Sequence, residues 1–176
     1  MANMLVSISP RDHVMGPRNA ALTLVAYGDL ECPHCRLVQP IIIEVAGELK
    51  DTLRMAFRHF PVSQMHPHAQ QAAEALEAAG SQGKFWEMMD LIYQDNARLD
   101  RDSLCRAAKK AGVNVKQFSR ELDGQVYRDR VRADYLSGLR AGVVGTPTLF
   151  INGEKYSGAY EFDALVAAFL KATRRL

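Results

Sequence analysis

Two of the three cysteines in this 176-residue chain lie two residues apart, in Cys32-Pro33-His34-Cys35. Thiols at this spacing can bind a metal, form a structural disulfide or act as a reactive dithiol. A structural zinc site needs four ligands, and only His66 or His68 could be recruited from elsewhere. A disulfide across so short a loop adds little stability. The reactive dithiol is therefore the favoured interpretation, and no metal site is predicted.

The residues around the cysteine pair favour an acidic first thiol. Pro33 follows Cys32 in the position where a helix tolerates proline best, so Cys32 is predicted at a helix N-terminus. Unpaired backbone N–H groups and the helix dipole favour a thiolate there, and lower its pKa from about 8.5. His34 can add a hydrogen bond or a positive charge. We expect Cys32 to be exposed and Cys35, one turn deeper, to be shielded and to resolve mixed disulfides. The predicted catalytic residues are Cys32, Cys35 and His34.

Strand and helix patterns place this motif in a βαβ unit. The apolar run Ala21–Tyr27 predicts a strand that ends just before the motif. Apolar spacing from Leu37 to Leu49 predicts a helix, which Pro40 should kink. Alternation over Thr52–Phe60 predicts a second strand, parallel to the first. The cysteines are thus expected at the start of the helix that joins two parallel strands.

The rest of the chain separates into a helical block and a closing ββα unit. Five helices are predicted in the block, over Ala69–Ala79, Lys84–Gln94, Asp102–Ala111, Val115–Leu122 and Gln125–Ala141. Asn152-Gly153, between two short apolar runs, is a strong hairpin signal. Spacing of the apolar residues from Phe162 to Phe169 predicts an amphipathic final helix.

These features together carry a family resemblance. With Cys-Pro-His-Cys after a strand, Pro40 in the next helix and Gly145-Thr-Pro-Thr148 before a hairpin, the chain resembles the DsbA-like thiol:disulfide oxidoreductases. The resemblance covers nearly the whole chain. It implies an α/β thioredoxin fold with an all-helical insertion, as a single domain over residues 1–176. The core would comprise residues 1–62 and 143–176, and the insertion residues 63–142.

The resemblance also implies roles for individual residues. Cys32 matches the nucleophile, Cys35 the resolving cysteine and Pro147 the family's cis-proline. Substrate contact is implied at Thr146, Pro147 and Pro33, where the backbone of Thr146 can pair with an extended segment. The implied activity is disulfide exchange with protein or peptide thiols. It needs no cofactor beyond the Cys32–Cys35 disulfide, and requires an unidentified redox partner for regeneration.

The sequence departs from the family pattern in two places. Related proteins often carry a buried acid six residues before the first cysteine, where this chain has Ala26. Asp29 and Glu31 lie nearer the motif, but we expect both to be exposed and Glu31 to oppose the thiolate. The opening residues also lack the pattern of an export signal, so a cytoplasmic location is predicted, which is unusual for an oxidant.

Composition and the remaining residues leave two other function classes open. A net charge of +2, 48% hydrophobic residues and no long apolar run predict no nucleic-acid and no membrane partner. The chain could be a redox sensor or binding module, or a glutathione-dependent transferase or isomerase on the same fold. Relatives of the last kind usually have serine in place of the first cysteine. The direction of electron flow stays open, and structural roles are predicted for His59, His66, His68 and Cys105.

Overall fold

The fold is a mixed sheet flanked by helices, here described from a computed structural model over residues 6–94 and 98–174. In the described residues the sheet has five strands in the order β1-β3-β2-β4-β5. Only β2 and β3 pair in parallel; the other neighbours are antiparallel. The strands are β1 (His13–Met15), β2 (Leu22–Gly28), β3 (Leu53–His59), β4 (Thr148–Ile151) and β5 (Glu154–Lys155).

The predicted βαβ unit is confirmed. Helix α1 (Pro33–Glu48) joins β2 to the parallel strand β3, and Cys32 is its N-cap residue. Pro40 lies inside the helix, which continues past it to Glu48. Because only four residues separate the end of β2 from the start of α1, the cysteine pair lies at the edge where the parallel strands terminate.

The block between β3 and β4 is helical, as the periodicity predicts. Its helices are α2 (Ala69–Gly80), α3 (Phe85–Gln94), α4 (Arg101–Lys110), α5 (Val115–Asp123) and α6 (Arg128–Arg140). The side chains of Asp100 and Asn114 cap α4 and α5 by accepting backbone N–H groups three residues on. Helix α6 begins three residues later than predicted, since Gln125 has a φ of 50°, which an α-helix cannot contain.

Side chains from alternate positions of the strands divide the core into two clusters. One sheet face, with Leu24, Ala26, Met55 and Phe57, packs with α1, the helical block and α7 (Phe162–Thr173). The opposite face packs with the N-terminal segment and with residues of α6 and the turn after it; its buried side chains include Val25, Tyr27, Ala56 and Phe150. Both faces of β2 and β3 are covered, which is why six of the seven residues in each strand are buried.

Strand β1 is absent from the sequence-based prediction. It has three residues and pairs antiparallel with the outer edge of β3, Val14 facing Ala56. Beside it, a buried ion pair anchors the N-terminal segment. The guanidinium of Arg58 donates to both carboxylate oxygens of Asp12 at 2.9 and 2.8 Å, and to the hydroxyl of Tyr27 at 3.0 Å.

The β4–β5 hairpin positions the loop that faces the cysteines. Asn152 and Gly153 have φ values of 47° and 84°, and the two-residue turn favours such residues. The Asn152 side-chain oxygen accepts the backbone N–H of Thr23 at 2.8 Å, which fixes the turn to β2. Strand β4 therefore lies beside β2, and the residues preceding it, Thr146 and Pro147, come next to the start of α1.

Candidate active site

Cys32 lies at the N-terminal end of α1, next to the backbone N–H groups of the first helical turn. Cys32 has extended backbone angles, and its own N–H donates to the carbonyl of Asp29 at 3.2 Å. The backbone N–H groups of His34 and Cys35 both act to lower the pKa of the Cys32 sulfur, although the Cys32 side chain makes no capping hydrogen bond to the helix. These are N–H groups of the first helical turn, which have no partner within the helix. The predicted thiolate environment therefore has a direct structural basis.

The pKa of Cys32 is lowered from an ordinary value of 9.0 to about 5. The largest cause is a hydrogen bond from the Cys35 thiol to the Cys32 sulfur. Burial acts in the opposite direction, and Thr146 and the backbone N–H groups of Cys35 and His34 outweigh it. Cys32 is consequently a thiolate at neutral pH.

Cys35 is the complementary thiol, because its pKa is raised far above the ordinary value. The hydrogen bond to Cys32 is the largest cause and burial the second, while the backbone N–H of Asp29, 3.4 Å from the sulfur, partly opposes them. Cys35 is 3% exposed, as expected. Cys32 was expected to be exposed and is only 6% exposed, since the loop of Thr146 covers it. All three cysteines are free thiols in this structure.

The loop before β4 contacts the first thiol. The Thr146–Pro147 peptide bond is cis, as the resemblance implies, and the Thr146 carbonyl oxygen lies 3.5 Å from Cys32 Sγ. The Thr148 hydroxyl donates to the carbonyl of Gly145 at 2.8 Å, and the Tyr160 hydroxyl donates to the carbonyl of Pro147 at 3.0 Å. These bonds hold the loop from both sides, so its position beside the sulfur is fixed by β4 and by the segment before α7.

A shallow apolar cleft of about 370 Å³ adjoins the cysteines, lined by His34, Leu37, Val38, Thr146, Pro147 and Tyr160. Leu37 is 69% exposed and Val144, two residues before Thr146, is 92% exposed. The ring of His34 and Pro33 are also exposed at this surface. Of the predicted site residues, the structure thus brings together both cysteines and Thr146, with Pro147, His34 and Pro33 at the rim.

Asp29 corrects an expectation, since it is buried rather than exposed. Its side chain has no solvent exposure. One carboxylate oxygen accepts the backbone N–H of Glu31 at 2.8 Å, and the other accepts the backbone N–H of Val62 and the ring Nδ1–H of His66, both at 2.8 Å. Its backbone contacts both cysteines, donating to Cys35 and accepting from Cys32. Sequence distance hides this role, because two of the three donors to its carboxylate, Val62 and His66, come from beyond α1 and β3.

His66 and His68 likewise differ from expectation, since they do more than begin a helix. His66 pairs with Asp29, and the ring Nδ1 of His68 lies 2.9 Å from a carboxylate oxygen of Glu31, whose other oxygen accepts the His68 backbone N–H at 2.7 Å. We call these two pairs, Asp29–His66 and Glu31–His68, the histidine clamp. In the sequence the two acids are two positions apart, and so are the two histidines, but only the fold shows that they pair. Because Glu31 is paired, it opposes the thiolate less than an isolated carboxylate would.

The position of the missing acid is occupied by a small void. Ala26 and Cys35 line a cavity of about 10 Å³ together with Gln39 and Tyr93. Tyr93 donates its hydroxyl to the carbonyl of Asp29 at 3.4 Å. Burial is the largest cause of the raised pKa of Tyr93, followed by the charges of Cys35 and Asp29. The buried acid whose backbone contacts the resolving cysteine in this chain is Asp29, and not a residue at position 26.

One group of side chains in the described residues has the spacing of metal ligands. The group with ligand spacing comprises His59, Glu77 and Asp134, and it includes neither cysteine of the pair. Its atoms already have partners: Glu77 accepts from His13 and His59, and Arg130 donates to Asp134. Within residues 6–94 and 98–174, no helix is both long and apolar enough to cross a membrane.

With this fold and geometry, comparison with known proteins identifies the class. The chain belongs to the thioredoxin family, whose model matches residues 9–171. Its architecture is DsbA-like. It superposes on oxidised BdbD from Bacillus subtilis with a TM-score of 0.86, at 19% identity, covering 98% of this chain and 100% of the other. It superposes on alpha-DsbA1 from Wolbachia pipientis with a TM-score of 0.82, at 18% identity, covering 96% and 94%.

The curated relatives at higher identity are longer proteins. The chain is 39% identical over 171 residues to a protein named Na(+)/H(+) antiporter NhaA 1 from Salinispora arenicola, covering 97% of this chain and 26% of that protein. It is 37% identical over 164 residues to Na(+)/H(+) antiporter NhaA from Herminiimonas arsenicoxydans, covering 93% and 26%. The chain therefore spans about a quarter of the length of these relatives.

Proposed function

We propose that this chain is a thiol:disulfide oxidoreductase that exchanges disulfides with protein or peptide substrates through Cys32 and Cys35. The observation that carries the proposal is the opposite perturbation of the two thiols. The pKa of Cys32 is lowered to about 5, and that of Cys35 is raised. Disulfide exchange needs one sulfur that attacks and leaves readily as a thiolate and a second that stays protonated until it is used.

Oxidation of a substrate dithiol takes place in two exchange steps. A substrate thiolate attacks Cys32 of the Cys32–Cys35 disulfide; a bond to Cys32 forms, and Cys35 leaves and takes up a proton. A second substrate thiolate then attacks the first substrate sulfur, and Cys32 leaves as a thiolate. Two electrons pass from substrate to enzyme, and the substrate disulfide forms. No cofactor other than the Cys32–Cys35 disulfide enters this scheme, and running it backwards reduces a substrate disulfide.

The cleft supports an extended polypeptide as substrate. It is open, largely apolar, and lined by Thr146, Pro147 and the exposed side chain of Leu37. A main-chain segment can pair with free backbone groups in the manner of an added strand. Ion transport is stated in the names of the longer relatives only, and the chemistry proposed here does not depend on it.

The direction of exchange depends on the compartment. Thiolate stabilisation favours the reduced form and makes the disulfide more oxidising than that of thioredoxin, whose first cysteine has a pKa of about 7. In a reducing compartment, at a glutathione poise of about −220 to −260 mV, such a pair would be largely reduced. In an oxidising compartment it would donate disulfides. We propose the exchange chemistry itself, with the direction set by its surroundings.

A turnover assay with a reduced, unfolded multi-disulfide protein tests the proposal. Wild-type protein and the Cys105→Ser control should both accelerate disulfide formation from glutathione disulfide, Cys32→Ser should be inactive, and Cys35→Ser should trap a mixed disulfide with the substrate. A protein that forms its own Cys32–Cys35 disulfide without accelerating substrate oxidation would instead be a redox sensor. Conjugation of glutathione to an electrophile, without disulfide turnover, would indicate a transferase.

A further inference from the structure

Asp29 holds the imidazole of His66 in a fixed orientation near the cysteine pair, where the ring can carry a positive charge. Asp29 is fully buried and accepts the ring Nδ1–H of His66 at 2.8 Å, whereas the His66 side chain is 16% exposed. The carboxylate therefore fixes the imidazole tautomer and leaves Nε2 as the nitrogen that gains and loses a proton. A buried carboxylate that orients a histidine in this way also favours its protonated form.

The pair is joined to both thiols through one loop. The Asp29 backbone N–H donates to Cys35 at 3.4 Å, and the Asp29 carbonyl accepts the N–H of Cys32 at 3.2 Å. The thiolate charge of Cys32 acts on the His66 ring. Since such coupling is reciprocal, a charge on His66 must act equally on Cys32.

The charged groups around His66 come from two segments, the residues that lead into α1 and those that precede α2. The loop before α1 contributes Asp29 and Glu31, α1 contributes Cys32, and the segment before α2 contributes His68, which is paired with Glu31. Partial burial lowers the pKa of His66, but the hydrogen bond and charge of Asp29, with the charges of Cys32 and Glu31, outweigh it. The pKa is therefore raised above its ordinary value of 6.5.

We propose that His66, held by Asp29, is a positioning residue whose charge stabilises the Cys32 thiolate and makes the oxidising power of the pair pH-dependent. This inference rests on the proposed exchange function. It also gives a role to the buried acid Asp29, in a chain that has Ala26 where related proteins often carry a buried acid. The imidazolium is present below the ordinary histidine pKa of 6.5 and is lost as pH rises through the raised pKa of His66. The extra stabilisation of the reduced form is lost over the same range.

His66→Gln tests this, because an amide can still donate to Asp29 but carries no charge. At about pH 6 we expect the equilibrium constant for oxidation of glutathione by the Cys32–Cys35 disulfide to fall threefold or more, and to equal the wild-type value at about pH 9. His68→Gln is the matched control, since it removes the same side chain from the 49%-exposed member of the clamp. It should change the constant less than twofold.

A second measurement, of the effect of Cys32 on the titration of His66, distinguishes a charge effect of His66 from a structural one. In Cys32→Ser the acid dissociation constant of His66, followed by NMR, should rise by the same factor by which His66→Gln lowers the acid dissociation constant of Cys32 in iodoacetamide labelling. A His66→Gln defect that is equal at both pH values would show a structural role and overturn the proposal, as would an unchanged pKa of His66 in Cys32→Ser. If wild type forms no disulfide, the proposed function fails, whereas the labelling and NMR results still decide the coupling.

Discussion

The hydrogen bond between the two thiols should dominate the acidity of Cys32, and Cys35→Ala tests this quantitatively. That bond is the largest cause of the lowered pKa of Cys32, which lies at about 5. A hydrogen bond to a charged group contributes about 1.5–3 kcal/mol, so its loss should lower the acid dissociation constant of Cys32 about 10- to 150-fold. At about pH 5.5 the thiolate fraction should fall from about three quarters to between about 2% and 25%.

The assay is the pH dependence of thiolate absorbance and of iodoacetamide labelling, read by mass spectrometry. The half-buried thiol of Cys105 in α4 serves as an internal reference within each sample, and Cys105→Ser identifies its contribution to the absorbance. In wild type at slightly acidic pH, Cys32 should react well before Cys35 and Cys105. An acid dissociation constant for Cys32 that is unchanged in Cys35→Ala would refute the reasoning, because the helix terminus alone would then account for the acidity.

Two further predictions concern stability. Asp12→Ala leaves the buried guanidinium of Arg58 without its bidentate partner and should lower the free energy of unfolding by about 3 kcal/mol in urea titrations. The exposed Arg101–Asp123 pair provides the control, since Asp123→Ala should change the free energy of unfolding little. Burial opposes ionisation of Glu77, but hydrogen bonds from His13 and His59 outweigh it and depress its pKa below the ordinary 4.5. Its stabilising contribution is therefore present above about pH 4.5 and is lost as pH falls below that value. Glu77→Gln should thus be much less stable than wild type at about pH 7, and the difference should shrink at about pH 4; an equal difference at both values would contradict the sign.

Local patterns in the sequence were sufficient to predict most elements of the fold. The strand before the cysteines, the helix they begin and the five inserted helices follow from spacing of apolar residues, because burial of one face imposes that spacing directly. The turn at Asn152-Gly153 is equally local, since only a few residue types adopt its backbone angles. Strand β1 was missed because its three residues are too few to show alternation, and it is stabilised by pairing with β3 rather than by its own composition.

The sequence was sufficient to predict the cysteines of the candidate site, but not the residues that hold them in place. Cys32, Cys35 and the cis-proline loop carry a motif, whereas the burial of Asp29 and its bond to His66 join segments separated by α1 and β3. Asp29 was expected to be exposed because acidic residues in loops usually are. It is buried here because three donors from separate parts of the chain satisfy its carboxylate. Such long-range satisfaction leaves no pattern in a single sequence.

A glutathione redox titration of the Cys32–Cys35 pair, read by alkylation and mass spectrometry, tests the central claim most directly. Thioredoxin combines a first-cysteine pKa of about 7 with a potential of about −270 mV. A pKa of about 5 for Cys32 stabilises the thiolate about a hundredfold more, which corresponds to about 60 mV. We expect a fully reversible Cys32–Cys35 disulfide with a midpoint of about −210 mV. A midpoint at or below about −270 mV, or no disulfide at any glutathione ratio, would contradict it.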